Sequence, residues 1–106
     1  MIIKFKSNKL EKSLLIPKDI QKTYGTMAKK VNQRMKEFTA ASDLSVIKSL
    51  PGTDFHRLSG PRKSQYSVSI TGNWRIILEP ETTKIKSESD LKKITSIKII
   101  EVIDYH

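Results

Sequence analysis

Cysteine is missing from all 106 residues, which removes disulfides and thiolate metal ligands and is compatible with a reducing cytoplasm. Histidine is scarce as well. There are two, His56 and His106, far apart and without a clustered carboxylate pair, too few ligands for a metal site. The four glycines are scattered and build no glycine-rich phosphate loop, nucleophile elbow or cofactor fingerprint. No metal and no cofactor is expected. Long apolar runs are also absent. Met1 to Lys6 alternates apolar and basic residues, unlike a signal peptide, and no stretch approaches membrane-spanning length. A cytoplasmic location with no membrane partner is the expectation. Acidic residues are few, 11 against 20 Lys and Arg, for a net charge of +9. Such an excess favours a polyanionic partner, RNA or DNA foremost.

What is present fits one domain, 1–106, with a modest core. Ile2 to Lys6 reads as a short strand and Asn8 to Leu15 as a short helix capped by Ser7 or Asn8. From Pro17 onward, Ile20, Tyr24, Met27, Ala28, Val31, Met35 and Phe38 keep the three-and-four spacing of one long amphipathic helix. Gly25 weakens it locally, by roughly 1 kcal/mol. Lys22, Lys29, Lys30, Arg34 and Lys36 are expected on or beside its exposed face. Ser42 or Asp43 caps a shorter helical turn, which Pro51-Gly52 ends. Tyr66, Val68 and Ile70 then alternate with polar residues, and Gly72-Asn73 turns the chain into a strand from Trp74 to Leu78. Trp74 is expected in the core. Glu81 to Thr95 reads as a polar loop or short helix. Ile97 to Ile103, apolar on both faces, reads as a central strand buried on both sides. Helices first and strands afterwards imply an α+β fold, with helices packed on one face of a small, mostly antiparallel sheet.

The chemistry gathers in three places. His56 opens a basic stretch holding Arg57, Arg62 and Lys63; Arg75 follows the hairpin turn; Asp104, Tyr105 and His106 follow the last strand. Imidazole titrates near neutrality and serves either side of a proton transfer. Arginine offers a planar fork of donors to phosphate. Tyrosine stacks on unpaired bases. Arg75 in an apolar strand needs a ligand or an ion-pair partner, and Asp104 is the carboxylate at hand.

The order His56-Arg57-Leu58-Ser59-Gly60-Pro61-Arg62-Lys63-Ser64-Gln65-Tyr66-Ser67-Val68, then Asn73-Trp74-Arg75-Ile76, then Asp104-Tyr105-His106, resembles the HigB branch of the RelE/ParE toxin superfamily. That resemblance implies two N-terminal helices over a twisted sheet (the RelE-like fold). It implies a type II toxin that cleaves mRNA, usually on the ribosome, without a metal, and that is neutralised by a HigA-like helix-turn-helix antitoxin. It implies His56, Arg75, Asp104, Tyr105 and His106 as active-site residues. Arg57, Arg62, Lys63, Lys29, Lys30 and Arg34 are the cations expected to meet RNA phosphates. This chain departs from the pattern at Ser59, where the family often has lysine, and at Pro61, where an acidic residue often follows the glycine. The missing cation then has to come from Arg57, Arg62 or Lys63. Two other readings share the fold: a ParE-like gyrase inhibitor without nuclease chemistry, and a weakened, non-catalytic RNA-binding homologue.

Overall fold

A computed structural model describes residues 1–81, 85 and 87–105. The first strand, β1 (Ile2–Phe5), leads into α1 (Asn8–Leu15). Ser7 caps that helix, its hydroxyl accepting from the Leu10 amide at 3.1 Å and so satisfying one of the amides that a helix start leaves bare. Ile16 is extended, and Pro17 opens α2 (Pro17–Tyr24), where its missing N–H is no loss. The helix expected to run on through Phe38 is broken instead. Gly25 takes φ +54°, a 3-10 turn follows, and α3 (Ala28–Ala40) starts afresh. Glycine adopts that left-handed backbone without strain, and the break lets α2 and α3 pack on each other. Asp43, not Ser42, caps α4 (Leu44–Ser49) by accepting from the Ser45 amide at 2.9 Å. Its bonds to Ser45 hold the Asp43 carboxyl below the usual carboxylate range.

The remaining strands are β2 (His56–Arg57), β3 (Tyr66–Thr71), β4 (Trp74–Pro80) and β5 (Ser96–Asp104). They form one sheet of order β1-β5-β4-β3-β2, with β1 parallel to β5 and all other pairs antiparallel. Between β4 and β5, Glu88–Lys93 forms a 3-10 helix opened by a Ser87/Asp90 capping box. Residues 82–84 and 86 of the expected polar loop lie outside the described residues.

Strand alternation sorts the sheet into two faces. Tyr66, Val68, Ile70, Ile76, Leu78, Ile97 and Ile99 join Leu14, Ile20, Val31, Phe38, Leu44 and Ile47 in one core. Burying each large aliphatic or aromatic side chain contributes about 1.5–3 kcal/mol. A register shift explains the unbroken apolar run of β5: Ile77 pairs with Glu101 but Leu78 pairs with Ile99, so Ile100 is an extra residue. That bulge brings Val102 onto the same core as Ile97 and Ile99. β5 is therefore internal in strand order, as expected, but its far half is only partly buried. Trp74, expected in the core, is 36% exposed; it is the first residue of its strand, directly after the Gly72-Asn73 turn.

The face away from the helices carries a row of paired residues. His56 lies opposite Ser67, Ser67 opposite Ile77, and Ile77 opposite Glu101. The next row is Ser69, Arg75 and Ile103. Polar and titratable side chains thus share one face through register alone.

Candidate active site

The site is built from the turn after α4 upward. Pro51-Gly52 ends the helix, and the next residues are held one by one. Arg34 Nη2 donates to the Gly52 carbonyl at 2.9 Å. The Thr53 hydroxyl is shared between the carbonyls of Ile47 (3.1 Å) and Leu50 (3.0 Å). The Ser69 amide donates to the Thr53 carbonyl at 2.7 Å. Asp54 follows, and it alone of the described non-glycine residues has positive φ, +42°. Aspartate tolerates this backbone better than most residues, yet at a cost that persists only where the surroundings over-determine it.

From this position Asp54 reaches two expected site residues. Its carbonyl oxygen lies 3.0 Å from His56 Nδ1 and 3.4 Å from Arg75 Nη1. Its carboxylate accepts from Arg75 Nη2 at 2.8 Å. A carbonyl only accepts, so this contact is a hydrogen bond of the neutral ring when the proton sits on Nδ1, an arrangement that leaves the lone pair on Nε2. The Arg75 hydrogen bond, then the Arg75 charge and more weakly the His56 charge, hold the Asp54 carboxyl below its ordinary value of 3.8, against a small opposing desolvation. Arg75 thus finds its ion-pair partner in Asp54, where the sequence suggested Asp104. The register supplies the reason: Arg75 pairs with Ile103, while Asp104 pairs with Trp74, one residue out of step and on the other parity of the strand.

A second cluster lies beside the first. Arg62 Nη2 donates to Glu101 Oε1 at 2.6 Å, and Nη1 donates to Gln65 Oε1 at 3.3 Å. The same guanidinium stands 5.9 Å from the centre of the Tyr105 ring, within cation–π range. The Tyr105 amide donates to the Asn73 carbonyl at 2.8 Å, which ties it to the β3–β4 turn. Arg57 Nε donates to the Lys63 carbonyl and closes the basic loop across its base. Phe55 stacks on Tyr66, centroids 5.0 Å apart and planes 14° apart, and so anchors the residue before His56. Burial pushes the Tyr66 phenol up, with the Arg57 charge opposing.

The structure therefore joins His56 to Arg75, and Arg62 to Tyr105, on one face. Arg57 and Lys63 are exposed at its rim. Lys29 and Lys30 belong to α3, across the sheet from this face. His106 lies outside the described residues. The expectation for Arg34 is corrected. It is 1% exposed, and its guanidinium is taken up by the Gly52 carbonyl, the Ser69 carbonyl at 2.8 Å and Glu37 Oε1 at 2.8 Å. Helical spacing put it beside a basic stripe, but its three-way fork reaches inward to two strand-side carbonyls. Sequence reasoning also missed Asp54 and Glu101. Asp54 had a weak signal, since Pro-Gly-Thr-Asp is turn-forming chemistry two residues before a histidine; Glu101 had none. Among the described residues, no group of three or more histidines, aspartates and glutamates comes together to hold a metal.

A family model of RelE-like toxins of the type II toxin–antitoxin system HigB matches residues 3–88. That span includes Asp54, His56 and Arg75 and stops short of Asp104 and Tyr105. Among solved structures, the fold is similar to a YoeB/ParE toxin from Agrobacterium tumefaciens, at TM-score 0.58 and 13% identity, over 100% of this chain and 99% of that one. It is equally similar to a chain of the YoeB–YefM complex from Staphylococcus aureus, at TM-score 0.58 and 20% identity, over 100% and 97% of the two chains. At such identities the likeness is one of fold. No curated protein matches the chain in sequence.

Proposed function

The chain belongs to the HigB-like toxins, the RelE-like toxins of type II toxin–antitoxin systems, and from that premise we propose that it is a cytoplasmic endoribonuclease that cuts mRNA on the ribosome. The observation that carries this reading is the pairing of His56 with Arg75 through Asp54. RNA cleavage by its own 2′-hydroxyl needs a base, a charge against the crowded phosphate and an acid. His56 Nε2 takes the 2′-hydroxyl proton as the 2′-oxygen attacks phosphorus. Arg75 bears on the developing negative charge, and preorganised charge of this kind supplies most of the rate gain in many enzymes. The bond to the 5′-oxygen breaks, and that oxygen receives a proton from His106, leaving a 2′,3′-cyclic phosphate and a 5′-hydroxyl. Tyr105, steadied by Arg62, stacks on a splayed base. With Ser59 in the slot that often holds lysine, Arg57 and Lys63 supply the remaining cations, since Arg62 is committed to Glu101.

An antitoxin is the natural second partner. One solved structure of similar fold is described as a YoeB–YefM complex, and a HigA-like helix-turn-helix protein is the type expected here.

The test is 5′-end mapping of mRNA incubated with programmed ribosomes and purified protein. Cuts should appear with the wild-type protein and fall by roughly 100-fold or more with His56→Gln, the usual size of a lost acid–base group. Intact mRNA together with inhibited DNA supercoiling would instead select the gyrase-directed reading.

A further inference from the structure

We propose that Asp54 is the positioning residue of the site: its carbonyl oxygen selects the His56 tautomer with the proton on Nδ1, and its carboxylate holds Arg75 beside that imidazole. The inference rests on the ribonuclease reading for its kinetic consequence, though not for its geometry.

Three observations carry it. First, one residue touches both groups with two different atoms. The carbonyl meets His56 Nδ1 at 3.0 Å, and the carboxylate meets Arg75 Nη2 at 2.8 Å. A base that must act through Nε2 needs its other nitrogen bound to an acceptor, and a carbonyl fixes that choice at every pH where the ring is neutral. Second, the backbone is strained where it need not be. With φ at +42°, glycine would fit this position more easily than aspartate. The carboxylate is 67% exposed, and an exposed ion pair adds little to folding. A strained backbone at an exposed residue whose side chain adds little to folding points to a constraint from function. Third, the strain is imposed from beneath. Buried Arg34 holds the Gly52 carbonyl, Thr53 is bonded at both its hydroxyl and its carbonyl, and Ser69 on β3 supplies the amide. These bonds pin the loop at Gly52 and Thr53, and the next residue, Asp54, reaches Arg75.

The two atoms separate by mutation. Asp54→Asn keeps a residue that tolerates positive φ and removes the charge. Asp54→Gly keeps the turn, relieves the strain and loosens the carbonyl. The full-length chain, labelled with 15N at histidine, is examined by long-range 1H–15N spectra at a pH where imidazole is neutral, and ribosome-programmed cleavage is measured on the same samples. Wild type should show His56 protonated on Nδ1. Asp54→Asn should retain that tautomer while kcat falls about tenfold and KM stays put, the mark of a lost transition-state contact. Asp54→Gly should lower kcat at least as far, give averaged His56 nitrogen shifts, and melt no lower than wild type. Wild-type His56 protonated on Nε2, or both variants at wild-type kcat with unchanged His56 shifts, would overturn the proposal. If wild type cuts no RNA, the ribonuclease reading fails by itself. The tautomer spectra then decide the positioning role alone: averaging in Asp54→Gly supports it, and spectra identical to wild type refute it.

Discussion

Asp54 and Arg75 meet at 2.8 Å across 21 residues of sequence. They meet because the pinned Gly52–Thr53 turn runs alongside β3 and Arg75 stands one strand further in, opposite Ser69. The pair couples a strained loop to a rigid hairpin, and its consequences reach both chemistry and folding.

Arg75→Lys should keep the charge and lose the activity. A lysine offers one point of contact where the guanidinium offers a fork, able to hold Asp54 and a phosphate oxygen at once. Cleavage should fall by about 100-fold, the scale of one lost preorganised donor, with little change in the urea midpoint. Single-turnover kinetics on programmed ribosomes measures it.

Acid should weaken the folded state partly through Asp54. Its folded-state pKa lies below the ordinary 3.8 because of Arg75. The stabilisation is therefore complete above the ordinary pKa and is lost as pH falls through the depressed one. Urea titrations between pH 6 and roughly pH 3 should show a slightly steeper loss for wild type than for Asp54→Asn, small because the side chain is 67% exposed. Parallel curves would remove the pair from the account.

Arg34→Ala should unfold the protein more readily without touching RNA affinity directly. It removes the cation from Glu37 and a donor from each of two carbonyls at a buried position, and breaking a buried charged network costs about 3–5 kcal/mol. Denaturant midpoints at constant m-value report it. By contrast, Lys63→Ala should leave stability alone and lower the salt slope of RNA binding by about 1.

Ser67→Ala should stabilise the chain. Its hydroxyl is buried without a hydrogen-bond partner among the described residues, and an unsatisfied group of that kind costs about 1–3 kcal/mol. The gain in melting temperature should survive in an Asp54→Asn background if the two sites act independently. Unchanged or lower stability would mean that the hydroxyl has a partner in solution.

Much of the fold was legible from pattern. The three-and-four spacing located the helical core residues from Ile20 to Phe38, and the two-residue alternation of Tyr66, Val68 and Ile70 located β3 and its inward face. Gly25 was legible as a weak point but not as a break, since whether a glycine is tolerated or ends a helix depends on what packs on either side. Ile97 to Ile103 read as a doubly buried strand because a bulge at Ile100 mimics, in sequence, a strand apolar on both faces. Trp74 was misread because its apolar area suggests burial, while its place at the strand end leaves part of it outside.

The site divides along the same line. The amino-acid order by itself determined which residues can do chemistry: His56, Arg75 and Tyr105 were named by residue type and by motif order, because protonation, charge and aromaticity belong to the side chain wherever it sits. Only the tertiary structure decided their partners. Asp54 took Arg75 where Asp104 was expected, Arg34 turned inward away from the basic surface, and Arg62 went to Glu101. Hydrogen bonds and ion pairs act over a few ångströms, and strand register, with one bulge and one left-handed aspartate, sets which atoms come that close.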